Sequence, residues 1–504
     1  MEKFLLGIDR GTTNVKAALY NIRGEEILVS SQSCEKVKSL QNGFAEQNME
    51  QIWKDTKKAI RRIWGHGICP EQIEAIGLSG QGGGLFLIDE KGVPTREGIV
   101  SLDSRVVYAA KEWQKNGLHQ KFIKLWNYDN PTIPQALLYW LKEFEPEEYK
   151  RSRYILQCKD WIRYKLTNQV NYEVTDASNG FLINAELEYE IDFFDEYGIG
   201  DAKNKFPKLL MPWNLAGTVT EEAAEETGLL AGTKVAAGGH DVAMMVLGNG
   251  CYKENQIVSV LGTWGLNLLL VKNPHYMMTH YAKLILSASP DMYLLMNGAS
   301  TGSSLEWFTE TLCKEEMEEA KRSGVNVYKI IENKIMSEKN EAKSDVICHP
   351  FTEPLFMMPG YNNAQAGFYG MKCQTSREEI LRAILEGVAL EISMFLEVSK
   401  QAADKSVTLR LSGGGATNSL LGQMIADASN MRVQIMDVGE AGCRGAALSA
   451  GIAAGIYKNH TEVGSLPVQV KKEYFPDANN TAYMENKMKK FKLIAKAMEM
   501  IWNN

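Results

Sequence analysis

Residues 7–16 have the sequence GIDRGTTNVK, which places a carboxylate, two hydroxyls and an amine around one glycine turn. Backbone N–H groups of such a turn can converge on an anion, and Thr12, Thr13 and Lys16 add further donors. The carboxylate of Asp9 would repel a phosphate unless a divalent cation lay between them, a position that Mg²⁺ commonly takes. The stretch therefore predicts a phosphate site with Mg²⁺; a plain hairpin turn is the alternative.

A second turn of this kind, LGTWG at Leu261–Gly265, lies in the other half of the chain. Its Gly262 and Thr263 repeat the glycine and the hydroxyl of the first turn, again between two apolar runs. Alone, it predicts an ordinary hairpin. As a pair, two facing hairpins predict a cleft that holds the polyphosphate of a nucleotide.

Asp241 follows Gly-Gly-His and precedes an apolar segment. One interpretation is a helix N-cap, where Asp is common. The other is a general base, because phosphoryl transfer needs positioning, charge neutralisation and one acceptor for the hydroxyl proton. We expect the neighbouring His240 to have a structural or substrate-lining role.

A glycine-rich turn, RLSGGGATNSLLGQ at 410–423, joins a predicted strand to a predicted helix. Gly414 and Gly415 would let a flat ring or a ribose approach the backbone, and Asn418 could hydrogen-bond a purine or cap the helix. Flavins, nicotinamides and plain packing use similar turns. Further on, Glu440–Gly455 predicts a small-residue helix that packs closely and could act as a hinge.

The elements that position these residues follow from hydrophobic patterning. Phe4–Asp9 and Val15–Asn21 are predicted strands around the first turn, followed by a third strand at Glu26–Ser31. A helix is predicted at Met49–Trp64, and the stretch 73–89 is predicted to be strand, glycine break and strand. This order is typical of a mixed-sheet α/β unit.

The same pattern restarts near residue 251, so the two halves are predicted to be similar copies of one unit with a boundary near 250. The second copy has a predicted helix at Arg377–Gln401 and a predicted strand at 407–412. Met277–Met296 and Glu315–Lys343 are predicted to be insertions or peripheral helices.

Composition excludes several classes of protein. The net charge of -7 over 504 residues gives no basic footprint for nucleic acid. The eight cysteines are single and no H-E-x-x-H occurs, which disfavours zinc and disulfide scaffolds. We find no secretory signal and no apolar run long enough for a bilayer. We therefore expect a cytoplasmic protein without membrane or nucleic-acid partners.

These motifs, in this order, resemble those of the FGGY carbohydrate kinases of the actin, hexokinase and heat-shock chaperone superfamily. GIDRGTTNVKA and LGTWG look like the two phosphate segments, GGHDVA and EAGCRGAAL like the two connecting segments, and LSGGGATNSLLGQ like the adenosine segment. AGFYGMKCQTSREEILRAILE matches the C-terminal signature. The N-terminal signature is partly met: Trp140 and Leu141 match, and Leu137 stands where the family usually has Lys.

The resemblance implies a two-lobed α/β fold of the actin/hexokinase (ribonuclease H-like) type, with a mixed sheet in each lobe and the active site in the cleft between lobes 1–250 and 251–504. It implies ATP and Mg²⁺ as cofactors, a small sugar as substrate and a homodimer. Asp241 would be the catalytic base, and Asp9 and Asp241 would hold Mg²⁺ through water. The implied nucleotide-binding residues are Gly11, Thr12, Thr13, Asn14, Lys16, Gly262, Thr263, Gly414, Gly415 and Asn418.

The sugar is indicated by the segment after Gln81. Glycerol kinases carry Arg-Glu there and D-xylulose kinases usually Met-His, whereas this chain has Gly82 and Gly83. SGQGGGLFLID, GTWG, GFYGM and SSLEWF most resemble L-xylulose kinases, with erythritol-type kinases next. The candidate sugar-site residues are Gln81, Gly82, Asp103, Arg105, His240 and Asp241. A surface pair is the alternative for Asp103 and Arg105.

Two other classes of function compete with a kinase. A non-enzymatic nucleotide switch of the actin or chaperone type shares the two hairpins but would not need the C-terminal signature. A nicotinamide dehydrogenase needs G-x-G-x-x-G between its first strand and a helix, and here the first predicted strand continues into a hairpin.

Overall fold

The computed structural model describes most of the chain. The described residues are 2–40, 43–118, 120, 134–180, 182–184, 186–262, 265–272, 282–299, 301–337, 344–353, 355, 361, 363–402, 407–413 and 418–502.

Seven described strands form the sheet of the first lobe. The first three strands in chain order make an antiparallel meander. On the other side of the first strand, Phe4–Arg10, lie Ile73–Gly80 and then Lys234–Ala236, both parallel to it. The predicted hairpin, third strand and later central strand are confirmed. In spatial order the strands are Leu215–Thr218, Lys234–Ala236, Ile73–Gly80, Phe4–Arg10, Asn14–Asn21 and Glu26–Ser33, with Gly239–His240 also paired to Ile73–Gly80.

The second lobe repeats this plan, which confirms the predicted duplication. Its first strand again runs parallel to two later strands on one side and antiparallel to a hairpin partner on the other. In spatial order its seven described strands are Lys283–Leu286, Tyr293–Ala299, Gly265–Val271, Ile257–Leu261, Leu409–Ser412, Val433–Met436 and Val470–Tyr474.

The prediction of peripheral helices within Met277–Met296 is wrong over its described part. Tyr293–Ala299 pairs antiparallel with Gly265–Val271 and corresponds to the third strand of the first lobe. Lys283–Leu286 pairs with Tyr293–Ala299 as an edge strand without a counterpart among the described strands of the first sheet, so an insertion there stays a prediction. Short apolar runs such as KLIL do not distinguish a strand from a buried helix. The distant pairing partner decides the outcome.

Helices cover both sheets. The helix Met49–Arg61 lies on one face of the first sheet, begins with an Asn48 side-chain cap and buries Ile52, Trp53 and Ile60. The other α-helices among the described residues are Val106–Lys115, Gln135–Phe144, Pro146–Arg151, Cys158–Thr167, Val174–Asn179, Ile191–Glu196, Glu221–Thr227, Asp241–Gly248, Thr301–Leu312, Lys314–Ser323, Val327–Ser337, Arg377–Ala402, Ser419–Ser429, Ala441–Ala453, His460–Ser465 and Ala478–Trp502.

Short elements lie outside the two main sheets. The 3₁₀ helices are Trp64–His66, Pro70–Gln72 and Gly200–Lys205. The short strands are Lys38–Ser39, Ala45–Gln47, Phe86–Ile88, Gly98–Ile99, Tyr154–Leu156, Tyr172–Glu173, Leu209–Leu210, Ile347–His349 and Gly367–Tyr369. Within the described ranges, no helix is both long enough and apolar enough to cross a membrane.

The helix Ala441–Ala453, which we call the crossing helix, packs on the first-lobe sheet although it comes from the second half of the chain. Its backbone lies so close that a Cβ added to Gly7 would be 1.9 Å from the Cys443 carbonyl oxygen, and one added to Gly77 would be 1.9 Å from that of Ala446. The close packing predicted from small residues is confirmed. The boundary near residue 250 stays a prediction.

Candidate active site

Asp9 lies at the end of the first strand, on the face that the crossing helix covers. Strand alternation puts Gly7 and Asp9 on the same face, and a Cβ added to Gly442 would lie 2.8 Å from Asp9 Oδ2. Ser79 Oγ donates a 2.6 Å hydrogen bond to Asp9 Oδ1. Burial raises the pKa of Asp9 from 3.8 to about 6; the Ser79 hydrogen bond lowers it, and the Asp241 carboxylate raises it. Asp9 is therefore a carboxylate under electrostatic stress.

Asp241 is the first residue of the helix Asp241–Gly248, and His240 is the residue at its N-cap. Oδ1 of Asp241 accepts a hydrogen bond from the Val242 N–H at 2.7 Å and lies 2.9 Å from His240 Nδ1. No described residue donates to Oδ2, and about a third of the side chain (34%) is exposed. One oxygen of Asp241 is thus held by the start of its own helix, while the other has no donor among the described residues.

His240 is held from two sides. Its backbone N–H donates to Thr175 Oγ1 at 2.8 Å, and its imidazole pairs with Asp241. Burial lowers the pKa of His240, but the attraction of the Asp241 carboxylate raises it and prevails. The imidazole therefore orients Asp241 Oδ1, which is a structural role; the position of His240 beside the substrate stays a prediction.

The residues present fit Mg²⁺. Asp9 and Asp241 lie close enough for the charge of one to raise the pKa of the other, and a divalent cation would relieve that repulsion. Two carboxylates suit Mg²⁺, which is usually held by one or two carboxylates together with phosphate oxygens and water.

Asp9→Asn is expected to raise the Tm of the protein without nucleotide at pH 8 by roughly 1–3 °C. The folded-state pKa of about 6 exceeds the usual 3.8, so the folded chain binds this proton more tightly than the unfolded chain. The charged carboxylate therefore destabilises the fold above pH 6, and the penalty diminishes as the pH falls toward 4.

Thermal denaturation at pH 8 and pH 5 checks this: the gain in Tm should be smaller at pH 5. Asp192→Asn, at an exposed position, is the control, and a lower Tm for Asp9→Asn at pH 8 would contradict the expectation.

The first turn is a tight one, closed by the Gly11 N–H donating to the Asn14 carbonyl at 3.0 Å. Thr12 is half-buried and Thr13 is exposed, so their hydroxyls can reach a ligand. Lys16 is on the outgoing strand, and its amine bonds to both carboxylate oxygens of Glu440, at 2.8 and 2.9 Å. The structure therefore brings together the turn and the start of the crossing helix, and Lys16 has a carboxylate partner that the sequence did not indicate.

The nucleotide-binding residues of the second lobe are described in part. Gly262 follows the strand Ile257–Leu261, while Thr263, Gly414 and Gly415 lie outside the described residues. Asn418 Oδ1 accepts from the Leu421 N–H at 3.0 Å and caps the helix Ser419–Ser429. Its Nδ2 is buried and receives no partner from the described chain. Asn418 thus fills the predicted capping role, and its amide N–H₂ group has no partner in the described chain. A hydrogen bond from this group to a purine stays a prediction.

Gln81 and Gly82 directly follow the central strand Ile73–Gly80. The Gln81 N–H donates to the Arg10 carbonyl at 2.9 Å, and its side-chain Nε2 lies 3.4 Å from Gln47 Oε1. Gly82 lies against His240, next to Asp241. The structure thus brings Gly82, His240 and Asp241 into one corner.

Asp103 and Arg105 are buried, which excludes the surface-pair alternative. Arg105 donates to both oxygens of Asp103, at 2.8 and 2.6 Å, and to Glu46 at 2.8 Å. Its guanidinium stacks 4.5 Å from the centre of the Phe44 ring and 5.1 Å from that of Trp140. A contact of Asp103 and Arg105 with the sugar stays a prediction.

Three residues near the site were missed by sequence reasoning: Ser79, Asp176 and Glu440. Asp176 follows Glu173, whose side chain caps the helix Val174–Asn179. Glu is not among the residues preferred at an N-cap, so the sequence EVTDASN carries no clear signal for this helix. Nothing in the sequence shows that Asp176 lies beside His240, 64 positions later.

The chain matches two family models: "FGGY family of carbohydrate kinases, N-terminal domain" over residues 4–248 and the corresponding C-terminal domain over 257–454. It is 32% identical over 470 residues to the "L-xylulose/3-keto-L-gulonate kinase" of Escherichia coli K12, covering 92% of this chain and 90% of that protein. It is also 32% identical to a "Probable L-xylulose kinase" of Pasteurella multocida, covering 89% and 90%. The ligand-bound xylulose kinase structure from Lactobacillus acidophilus superimposes with a TM-score of 0.88 at 20% identity, covering 98% of both chains.

Proposed function

We propose a reaction from the premise that this chain belongs to the FGGY family of carbohydrate kinases and is a sugar kinase. In this reaction the γ-phosphate of ATP is transferred to a terminal hydroxyl of a pentulose or related keto-sugar. The first candidate substrate is L-xylulose. Two relatives at 32% identity carry L-xylulose in their names. D-xylulose, erythritol, glycerol and gluconate are the alternatives within the family.

The observation that carries the proposal is the pair of carboxylates Asp9 and Asp241. Asp9 is buried and its pKa is raised to about 6, while Asp241 has one oxygen that accepts the Val242 N–H and one oxygen without a donor among the described residues. A buried carboxylate with a raised pKa lowers the stability of the fold, and acids with perturbed pKa values cluster at functional sites. The arrangement supports a base beside a cation site.

In the proposed mechanism, closure of the cleft excludes water that would otherwise accept the phosphoryl group. Asp241 Oδ2 takes the proton of the sugar hydroxyl as the hydroxyl oxygen forms a bond to the γ-phosphorus. At the same time the bond from that phosphorus to the bridging oxygen of ADP breaks. Mg²⁺, which Asp9 and Asp241 would hold through water, would neutralise phosphate charge when bound. The N–H groups of the Gly11 and Gly262 turns and the Thr12, Thr13 and Lys16 donors would orient the phosphates.

The substrate class is supported by the resemblance of the segment after Gln81 to L-xylulose kinases and by the two relatives whose names carry L-xylulose. The position that a Gly82 side chain would take is filled by His240 and Asp176, so this glycine does not by itself enlarge the sugar site. We also propose a homodimer and a cytoplasmic location, following the resemblance.

ADP release from Mg·ATP, measured against L-xylulose, D-xylulose, L-ribulose, 3-keto-L-gulonate, erythritol, glycerol and gluconate, tests the proposal. We expect the highest kcat/KM with L-xylulose. A strong response to another sugar alone would replace the substrate and keep the kinase. Binding of ATP without turnover on any sugar would contradict the proposal and favour the nucleotide switch.

A further inference from the structure

Asp9 and Lys16 lie directly opposite each other across the first hairpin. They are Cα partners in the antiparallel pairing of Phe4–Arg10 with Asn14–Asn21. Their side chains therefore project from the same face of the sheet, with Cβ atoms roughly 5 Å apart. The four-carbon stem of a lysine spans that distance. Because opposite charges that face each other across two strands attract, an ion pair between Asp9 and Lys16 is the expected arrangement.

The amine of Lys16 makes a different contact. Its Nζ lies 2.9 and 2.8 Å from the two carboxylate oxygens of Glu440, and within the described chain no ion pair joins it to Asp9. Asp9 accepts a hydrogen bond from Ser79 through Oδ1, while no described residue donates to its Oδ2. The amine thus contacts a carboxylate 424 positions away rather than the one opposite to it.

Glu440 is anchored in a position that serves this contact. It occupies the N-cap position of the crossing helix, where a carboxylate can accept the free N–H groups of the first turn, yet its side chain makes no capping hydrogen bond. Its backbone is held on both sides: the N–H donates to Glu26 Oε2 at 3.1 Å, and the carbonyl accepts from Tyr20 Oη at 3.0 Å. Both carboxylate oxygens are therefore presented to Lys16 from a fixed backbone.

The charges of this corner act on one another. Burial lowers the pKa of Lys16, but the Glu440 carboxylate raises it by hydrogen bonding and by charge, and the rise prevails. Burial is the main cause that raises the pKa of Asp9; among the nearby charges, that of Lys16 lowers it and that of Glu440 raises it. The side chains of Lys16 and Glu440 are 35% and 27% exposed, so packing does not lock the amine in place. One mobile amine thus lies within reach of two carboxylates, and its position decides how much of the Asp9 charge is left uncompensated.

We propose that Glu440 is a positioning residue of the cation site: by holding the Lys16 amine it keeps that amine from pairing with Asp9, so that the Asp9 carboxylate stays available to hydrated Mg²⁺. An amine on Asp9 would compete with the cation, since both neutralise the same charge. Held by Glu440, the amine remains beside the first turn, where the proposed function assigns it to phosphate. The proposal rests on the sugar-kinase function above and adds a residue to it.

The test is the effect of Asp9→Asn on the Tm at pH 8 without nucleotide, measured in three backgrounds. In wild type, no amine pairs with the carboxylate, and its removal should raise the Tm by roughly 1–3 °C. In Glu440→Gln, the released amine pairs with Asp9, so this gain should disappear. In the double variant Glu440→Gln/Lys16→Met there is no amine to pair, and the gain should return. A return of the gain cannot come from general damage to the fold.

Glu26→Gln is the matched control, because it removes a neighbouring carboxylate that bonds to the Glu440 N–H and not to the Lys16 amine. It should keep the wild-type gain. An equal gain in wild type and in Glu440→Gln would overturn the proposal. A gain that is lost in Glu440→Gln and stays lost in the double variant would overturn it too, since that is the through-space effect of one fewer negative charge.

A crystal structure of Glu440→Gln without nucleotide is an independent measurement. Lys16 Nζ should lie within hydrogen-bond distance of Asp9 Oδ2, and an amine that still contacts position 440 would overturn the proposal.

Kinase activity supplies a third readout. Glu440→Gln should raise the Mg²⁺ concentration at half-maximal activity by about 2–5-fold, the range expected for a partly exposed ion pair, while the KM for the sugar stays unchanged. An unchanged Mg²⁺ requirement would contradict the proposal. If wild type phosphorylates no sugar, the proposed function fails, and the Tm comparison, which needs no substrate, still decides whether Glu440 keeps Lys16 from Asp9.

Discussion

Asp241→Asn is expected to lower kcat for sugar phosphorylation by roughly 10²–10⁴-fold and to leave the KM for the sugar within a few-fold of wild type. The amide has the same shape and keeps an oxygen that can accept from the Val242 N–H, which donates to Asp241 Oδ1 at 2.7 Å. What it loses is the ability of the second oxygen to take a proton. The variant therefore separates proton transfer from positioning.

Steady-state kinetics on the best sugar of the panel, with calorimetric binding of that sugar, measure both effects. Asp192→Asn makes the same chemical change at an exposed position and should keep wild-type turnover. A kcat within tenfold of wild type for Asp241→Asn would show that another group accepts the proton.

Local elements of the fold could be predicted because each is encoded by a short stretch of sequence. The Gly-Thr turn between two apolar runs predicts the hairpin Phe4–Asn21, and the small residues of 440–455 predict a closely packed helix. Tyr293–Ala299 could not be assigned, because YLLM is apolar in either a strand or a helix. Its identity depends on pairing with Gly265–Val271, more than 20 residues earlier.

The same limit applies to the site. Asp9, Asp241 and Asn418 were predicted because each lies in a recognisable local motif. Their partners come from elsewhere in the chain: Ser79 is 70 positions from Asp9, and Glu440 is 424 positions from Lys16. The burial that raises the pKa of Asp9 also comes from distant elements, since the crossing helix covers that carboxylate.

Gly445→Ala is expected to lower both the free energy of unfolding and the kcat of the enzyme. The helix Asp241–Gly248 and the crossing helix touch through their backbones: a Cβ added to Gly445 would lie 1.9 Å from the Met244 carbonyl oxygen, and one added to Gly248 would lie 1.9 Å from that of Ala441. A carbonyl in a helix cannot rotate away as a side chain can, so the two helices must separate.

Separation of these helices moves Met244, and with it Asp241, which lies one turn earlier. We expect Gly445→Ala to lower the free energy of unfolding by about 1–3 kcal/mol or more, and to lower kcat by up to about 10²-fold, the effect of a displacement near 1 Å at a reacting group. Urea denaturation and kinetics measure the two losses, with Gly65→Ala as the control because its added Cβ meets open space. An unchanged denaturation midpoint would mean that the helices can yield without loss. Reduced stability with normal kcat would mean that the position of Asp241 does not depend on this contact. The expected coupled loss follows from the geometry, because the glycines that let the crossing helix lie against the first lobe also fix the position of the helix that carries Asp241, the proposed base.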